Sequence, residues 1–139
     1  MKSDVILNKI SVIERCLKRI REEYNGDPKN LQNYTKQDSI VLNLQRACEA
    51  CIDLAMHIVA EQKFGLPQHS RDAFALLEEY GVISPAISKN MKAMVGFRNI
   101  AVHDYQPLNL GIVQAIVEQH LDDFKQFAEA ILRYAKENN

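Results

Sequence analysis

The chain has 139 residues, 47% of them hydrophobic, and a formal net charge of −1. That size and composition suit a single domain, residues 1–139, with enough apolar side chains for one core, and exclude a global basic field for nucleic acid. No apolar run is long enough to span a bilayer and the N-terminus lacks a signal-peptide core, so a cytoplasmic protein is expected.

A first helix is predicted from Ser3 or Asp4 to about Tyr24. Ile6, Ile10, Ile13, Leu17 and Ile20 or Tyr24 recur at helical spacing and make its apolar face. Asn25-Gly26-Asp27-Pro28 is a strong stop. The outer face carries Lys9, Arg15, Lys18, Arg19 and Arg21 against Glu14, Glu22 and Glu23. It reads first as a solvated surface and second as one able to touch phosphates. Residues 25 to 35 form a polar connection from which Leu31 and Tyr34 are expected to dock on the core.

A long second helix begins near Thr35 to Asp38 and reaches about Phe64, where Gly65-Leu66-Pro67 ends it. Leu44, Cys48, Cys51, Ala55 and Ile58 hold one face. Ile40, Val41, Ala47, Ile52, Leu54 and Val59 widen it until little of the helix is plainly solvent-facing. A central bundle helix, or one shared with a second subunit, has this pattern. Cys48 and Cys51 form a C-x2-C, but only Cys16 remains as a further thiol and the context is helical. All three cysteines therefore read as core residues, with no metal site expected. Glu49, Asp53, His57 and Glu61 recur every four residues as a polar stripe. No second carboxylate–histidine cluster completes a metal shell, so the stripe reads as a seam or a face offered to a partner.

Ser70, Asp72, Phe74, Leu76 and Leu77 indicate a short third helix closing at Tyr80-Gly81. Ser84-Pro85 opens a fourth, with serine as cap and proline in the first turn. On it Ile87, Met91, Met94 and Val95 form an apolar stripe that Arg98 continues. A guanidinium in that position is costly unless something anionic meets it. Beyond Pro107, Asn109 caps a final helix to about Ala135, with Ile112, Ile116, His120 or Leu121, Phe124, Phe127 or Ala128, and Ile131 inside. No strand-like alternation occurs. The expected architecture is all-α, an up-and-down bundle of about four long helices plus one short one.

The chemistry concentrates in Arg98-Asn99-Ile100-Ala101-Val102-His103-Asp104-Tyr105. Five residues along an undistorted helix turn through roughly 500°, so Arg98 and His103 point about 140° apart. They share one site only if the helix ends between them or if two copies of the chain build one cleft. Pro107 disfavours helix at Gln106, which puts an ending nearby. Lys89, Lys92, Arg98 and His103 face a single acid, Asp104, so the region is locally basic.

Arg98, four residues, His103, one residue, Tyr105 resembles the R-X4-H-X-Y motif of the HepT family of HEPN-domain proteins. Asn99 also fits, since that family usually has a polar residue directly after the arginine. Length and helical layout extend the resemblance over essentially the whole chain. It implies a HEPN-like dimer with a composite cleft. It further implies the toxin of a type VII toxin–antitoxin module, a ribonuclease in which Arg98 and His103 are catalytic and Asn99 supports them. Its partner would be an MNT-type nucleotidyltransferase antitoxin that neutralises it by AMPylating Tyr105. Transfer RNA or messenger RNA is the expected substrate, with no DNA, membrane or cofactor involved. The chemistry agrees. The ribose 2′-hydroxyl is a nucleophile beside the phosphate it attacks, His103 suits base or acid work, and the planar fork of Arg98 suits the phosphorane charge. No metal is required, and a 2′,3′-cyclic phosphate would result. Two other readings remain: a non-catalytic helical partner or substrate-binding domain of a nucleotidyltransferase, and a ligand-binding bundle using the Glu49-Asp53-His57 seam.

Overall fold

A computed structural model describes residues 3–103 and 109–138. It is all-helical among those residues, with α1 at Ser3–Tyr24, α2 at Tyr34–Gln62, α3 at Ser70–Glu79, α4 at Pro85–His103, α5 at Leu110–Gln119 and α6 at Leu121–Glu137. A 3-10 turn over Pro28–Gln32 joins α1 to α2. Four helices are long and two, α3 and α5, have ten residues each. No described helix is long and apolar enough to cross a membrane.

α1 buries the expected face. Ile6, Ile10, Ile13, Leu17, Ile20 and Tyr24 are all within 5% of complete burial, and Cys16 joins them. The chain reverses through Asn25 and Gly26, both at positive φ, and the Asp27 side chain accepts from the Lys29 N–H to start the 3-10 turn. Leu31 then docks on the core as expected. Tyr34 does not. It is 80% exposed, because it is the first residue of α2 and the Asn33 cap ahead of it turns the helix start outward.

α2 is the central helix, packed against α1, α3, α4 and α6. That explains its wide apolar surface. Every predicted apolar position on it is buried except Val41, which is partly covered. It ends at Gln62, where Lys63 adopts the left-handed conformation with φ 57°. Cys16, Cys48 and Cys51 are free, buried thiols. Burial pushes the Cys48 thiol up to about 12, with the nearby Arg98 charge opposing the rise.

The final predicted helix is two helices. His120 breaks it, with φ −126° and ψ 3°, while its N–H still bonds the Ile116 carbonyl. Its Nδ1 lies 2.9 Å from Asp123 Oδ2, so the residue closing α5 also opens α6. The kink rotates the inner face. Val113, Ile116 and Val117 are buried on α5, and Ile112, expected inside, is 49% exposed. The sequence cue was Asp122-Asp123, acids that favour the first turn of a helix.

α5 is tied to the start of the chain by the Tyr24 hydroxyl, which donates to the Glu118 carboxylate. Burial, then that hydrogen bond and the Glu118 charge, push the Tyr24 phenol up to about 12 from its ordinary 10.0. Folded Tyr24 keeps its proton where the unfolded chain has lost it. Its contribution to stability is therefore complete below pH 10 and is lost as pH rises through about 12. The stability gap between the native protein and Tyr24→Phe should narrow over that interval in denaturant titrations. A gap constant with pH would show that the phenol is not the titrating group.

Candidate active site

Arg98 sits where the sequence stripe put it, half-buried on α4 one turn beyond the buried Met94 and Val95. Two neighbours fix its guanidinium. Nε donates to Asn99 Oδ1 at 3.0 Å, and one terminal nitrogen donates to the Ser70 hydroxyl at 3.2 Å. Both partners are neutral, so the cation is oriented without being neutralised. No carboxylate among the described residues pairs with it. The group opens on a hollow of about 550 Å³ whose lining includes Met56, His69, Ser70, Arg71, Arg98 and Asn99.

The start of α3 builds the other wall. Asp72 Oδ2 accepts from the backbone N–H groups of Gln68 and His69, which fixes the first turn and places Ser70 against Arg98. Arg71 reaches across to α4, where its Nε donates to the Lys92 carbonyl at 3.3 Å. Gly96 permits that approach, since a Cβ there would stand 3.0 Å from the Arg71 guanidinium. The hollow thus holds two guanidiniums against the single carboxylate of Asp72. An anion of two or more oxygens suits it.

Arg98 and Asn99, singled out from the sequence, lie side by side at this hollow, whereas Ser70, Arg71 and His69, which also line it, were not singled out as site residues. In Gln68-His69-Ser70-Arg71-Asp72 the polar residues read only as a helix start. Nothing local says that this start faces α4.

The α4 helix does not end between Arg98 and His103. It runs to His103, so the two positions stay about 140° apart around one helix axis. Of the two ways they were expected to share a site, an ending of the helix between them is thus not the one observed. The His103 side chain, and Asp104, Tyr105, Gln106 and Pro107 altogether, lie outside the described residues. The α2 stripe is dispersed. Glu49 accepts from Gln45 at 3.2 Å, Asp53 pairs with Lys9 of α1 at 3.1 Å, and Glu61 is exposed. His57 is half-buried, and its Nε2 has no hydrogen-bond partner among the described residues. No group of three potential metal ligands occurs among them either.

Fold and site together define a helical bundle that offers a half-buried arginine, held by neutral groups at a hollow, from the later turns of its fourth helix. Residues 13–131 match the model of the ribonuclease HepT-like family. The chain belongs to that family. It is 54% identical over 129 residues to the mRNA nuclease HepT of Shewanella oneidensis, covering 93% of this chain and 97% of that protein. It is 24% identical over 131 residues to the tRNA nuclease HepT of Aphanizomenon flos-aquae, covering 94% and 89%. The tri-AMPylated Shewanella oneidensis HEPN toxin, solved in complex with an MNT antitoxin, superposes with a TM-score of 0.88 at 54% identity. That match covers 94% of this chain and 98% of that one.

Proposed function

We propose that the protein is the toxin of a toxin–antitoxin pair, a single-domain cytoplasmic endoribonuclease that works as a homodimer. The observation that carries this reading is the Arg98 guanidinium, held by Ser70 and Asn99 at an open hollow with no acid partner among the described residues. A purely structural arginine in that position would meet a carboxylate or cap helix carbonyls. This one is oriented by two neutral groups toward a hollow that suits an anion.

The reaction follows from the groups. His103 takes the proton of a ribose 2′-hydroxyl, and the 2′-oxygen forms a bond to the adjacent phosphorus. Arg98 meets two phosphate oxygens through its planar fork and offsets the charge that develops on them. The bond from phosphorus to the 5′-oxygen breaks, and that oxygen takes a proton from the His103 of the second copy. The products are a 2′,3′-cyclic phosphate and a 5′-hydroxyl. Every step uses side chains alone, so no metal is needed. A cleft that takes Arg98 and His103 from different copies is supported by the roughly 140° between the two positions on one helix.

Tyr105 is the handle for inhibition. A nucleotidyltransferase partner joins the phenol oxygen to the α-phosphorus of ATP and releases pyrophosphate. The resulting AMP puts an anionic phosphate and a base beside the basic end of α4, where it competes with RNA by charge and bulk. Support comes from the Shewanella relative, which is known in AMPylated form with its antitoxin. Incubation of the purified protein with RNA in excess chelator should give cyclic-phosphate ends at undiminished rate. In cells carrying the partner, Tyr105→Phe should remain toxic while the native protein is neutralised. Normal neutralisation of Tyr105→Phe would remove the phenol from the switch, and loss of cleavage in chelator would remove the metal-free mechanism.

A further inference from the structure

A second basic site lies away from Arg98, in the groove where the N-terminal half of α2 crosses α1. Arg15 and Arg19, one turn apart on α1, and Arg46 of α2 line a hollow of about 620 Å³. Cys16 and Val12 form its floor, and Ser39 and Asn43 lie along its α2 side. It shares no lining residue with the hollow at Arg98.

The three arginines are not equally occupied. Arg19 is tied to Glu23 at 3.0 Å and approaches Glu22 at 3.9 Å. Arg15 and Arg46 form no ion pair among the described residues, although the chain carries 18 acids. Both guanidiniums lie close enough to the Cys16 thiol to oppose the rise that burial gives it. Arg15 from α1 and Arg46 from α2 thus reach the same hollow from opposite helices. Asp38 is the only acid in the lining, so with Arg19 already paired to Glu23, Arg15 and Arg46, unpaired among the described residues, face one anion in a protein of net charge −1. Side-by-side cations repel in water, and a sequence gains nothing for folding by converging them on an open groove. They do suit a polyanion laid along it.

From this convergence of Arg15 and Arg46, flanked by Arg19, we infer that the α1–α2 groove is a phosphate-backbone subsite that holds single-stranded RNA outside the cleavage hollow. The inference rests on the ribonuclease reading above. Asn43 of α2 is thirteen residues before Met56 at the Arg98 hollow, a helical rise of about 20 Å. A strand reaching from one to the other needs several nucleotides. Guanidiniums grip phosphate oxygens without reading bases, so the subsite favours length and not sequence. An acidic segment of a partner protein is the competing occupant. It is disfavoured because the groove has apolar floor residues but little exposed apolar wall beyond Leu42 to anchor a peptide.

Both free arginines are exposed, so Arg15→Gln with Arg46→Gln should fold normally. Binding is read by fluorescence anisotropy of a labelled single-stranded RNA of about twenty nucleotides, in a His103→Ala background that keeps the RNA intact. The double variant should bind on the order of tenfold more weakly. Its plot of log affinity against log salt should be shallower by about 1.4, the release expected for two contacts on a single strand. Arg15→Lys with Arg46→Lys should keep the slope. With His103 intact, the glutamine pair should raise KM for long RNA and leave cleavage of a dinucleotide unchanged. Equal affinity and slope in all three proteins would overturn the subsite. So would unchanged RNA binding with loss of the antitoxin complex, which would make the groove a protein-docking surface. Loss of dinucleotide cleavage in His103→Ala, or its persistence there, reports on the nuclease reading alone and leaves the binding comparison intact.

Discussion

Arg98→Ala and His103→Ala should each lower RNA cleavage by about a hundredfold or more, the scale for removing one charge-stabilising group or one proton-transfer group. Neither change should unfold the protein. Arg98 is half-buried and loses two hydrogen bonds, to Asn99 and Ser70, worth about 1–3 kcal/mol together. Arg98→Lys should recover little, because an ammonium cannot hold Ser70 and Asn99 while forking onto two phosphate oxygens. Mixing the two alanine variants gives the sharper result. If one cleft draws Arg98 from one copy and His103 from the other, the mixed dimer regains one such pair, and a small part of the activity returns because its single His103 must both take and give the proton. If one chain supplied both groups to its own site, the mixture would be as inactive as its components. Stopped or continuous cleavage of a labelled RNA distinguishes these outcomes, and full activity in both single variants would defeat the catalytic assignment.

Phe74→Ala should cost about 3–5 kcal/mol, a lowering of Tm by roughly 10–20 °C for a chain of this size. Phe74 is 1% exposed and meets Phe127 of α6 edge to face, with ring centroids 5.5 Å apart. It is also the residue that seats α3. Ser70, one turn earlier on the same helix face, is the neighbour that orients Arg98. The buried Ser88 hydroxyl of α4 bonds the Phe74 carbonyl at 3.5 Å, which ties α3 to the helix carrying Arg98. Removing the ring should therefore loosen the hollow as well as the core. Below the melting transition the variant should show reduced cleavage, whereas Phe127→Ala should lose similar stability with more activity retained per folded molecule. Denaturant midpoints and cleavage rates at low temperature test both parts. A loss under about 1 kcal/mol would mean that the α3–α6 contact closes over the gap.

The helices themselves were legible because their causes are local. The apolar positions of α1 and α2, the Ser84-Pro85 start of α4 and the stop at Asn25-Gly26 depend on residues within a few places of one another. The Ser84 hydroxyl does accept from the Ile87 N–H at 3.1 Å, and Gly81 does turn at φ +76° before it. The Arg98 position was legible for the same reason: a cation on an apolar stripe is a conflict visible in one helical period. The break at His120 was obscured, since Ile116, Leu121 and Phe124 continue a helical pattern across it and outweigh the one local cue, Asp122-Asp123. What decides the break is that α5 must lie near Tyr24 while α6 packs along α1, α2 and α4.

From order of residues alone, this chain sets the start and end of its first helix, the burial of its three thiols, and the place of one arginine on an apolar stripe. Tertiary structure alone decides what stands around that arginine: Ser70 arrives from 28 positions away and Arg71 crosses from another helix. The same holds for the pairing of Arg15 with Arg46 across two helices. Periodicity encodes which face a helix buries, because that depends on spacing along one axis. It does not encode which side chains from distant segments meet over the buried face, because that depends on how the axes cross.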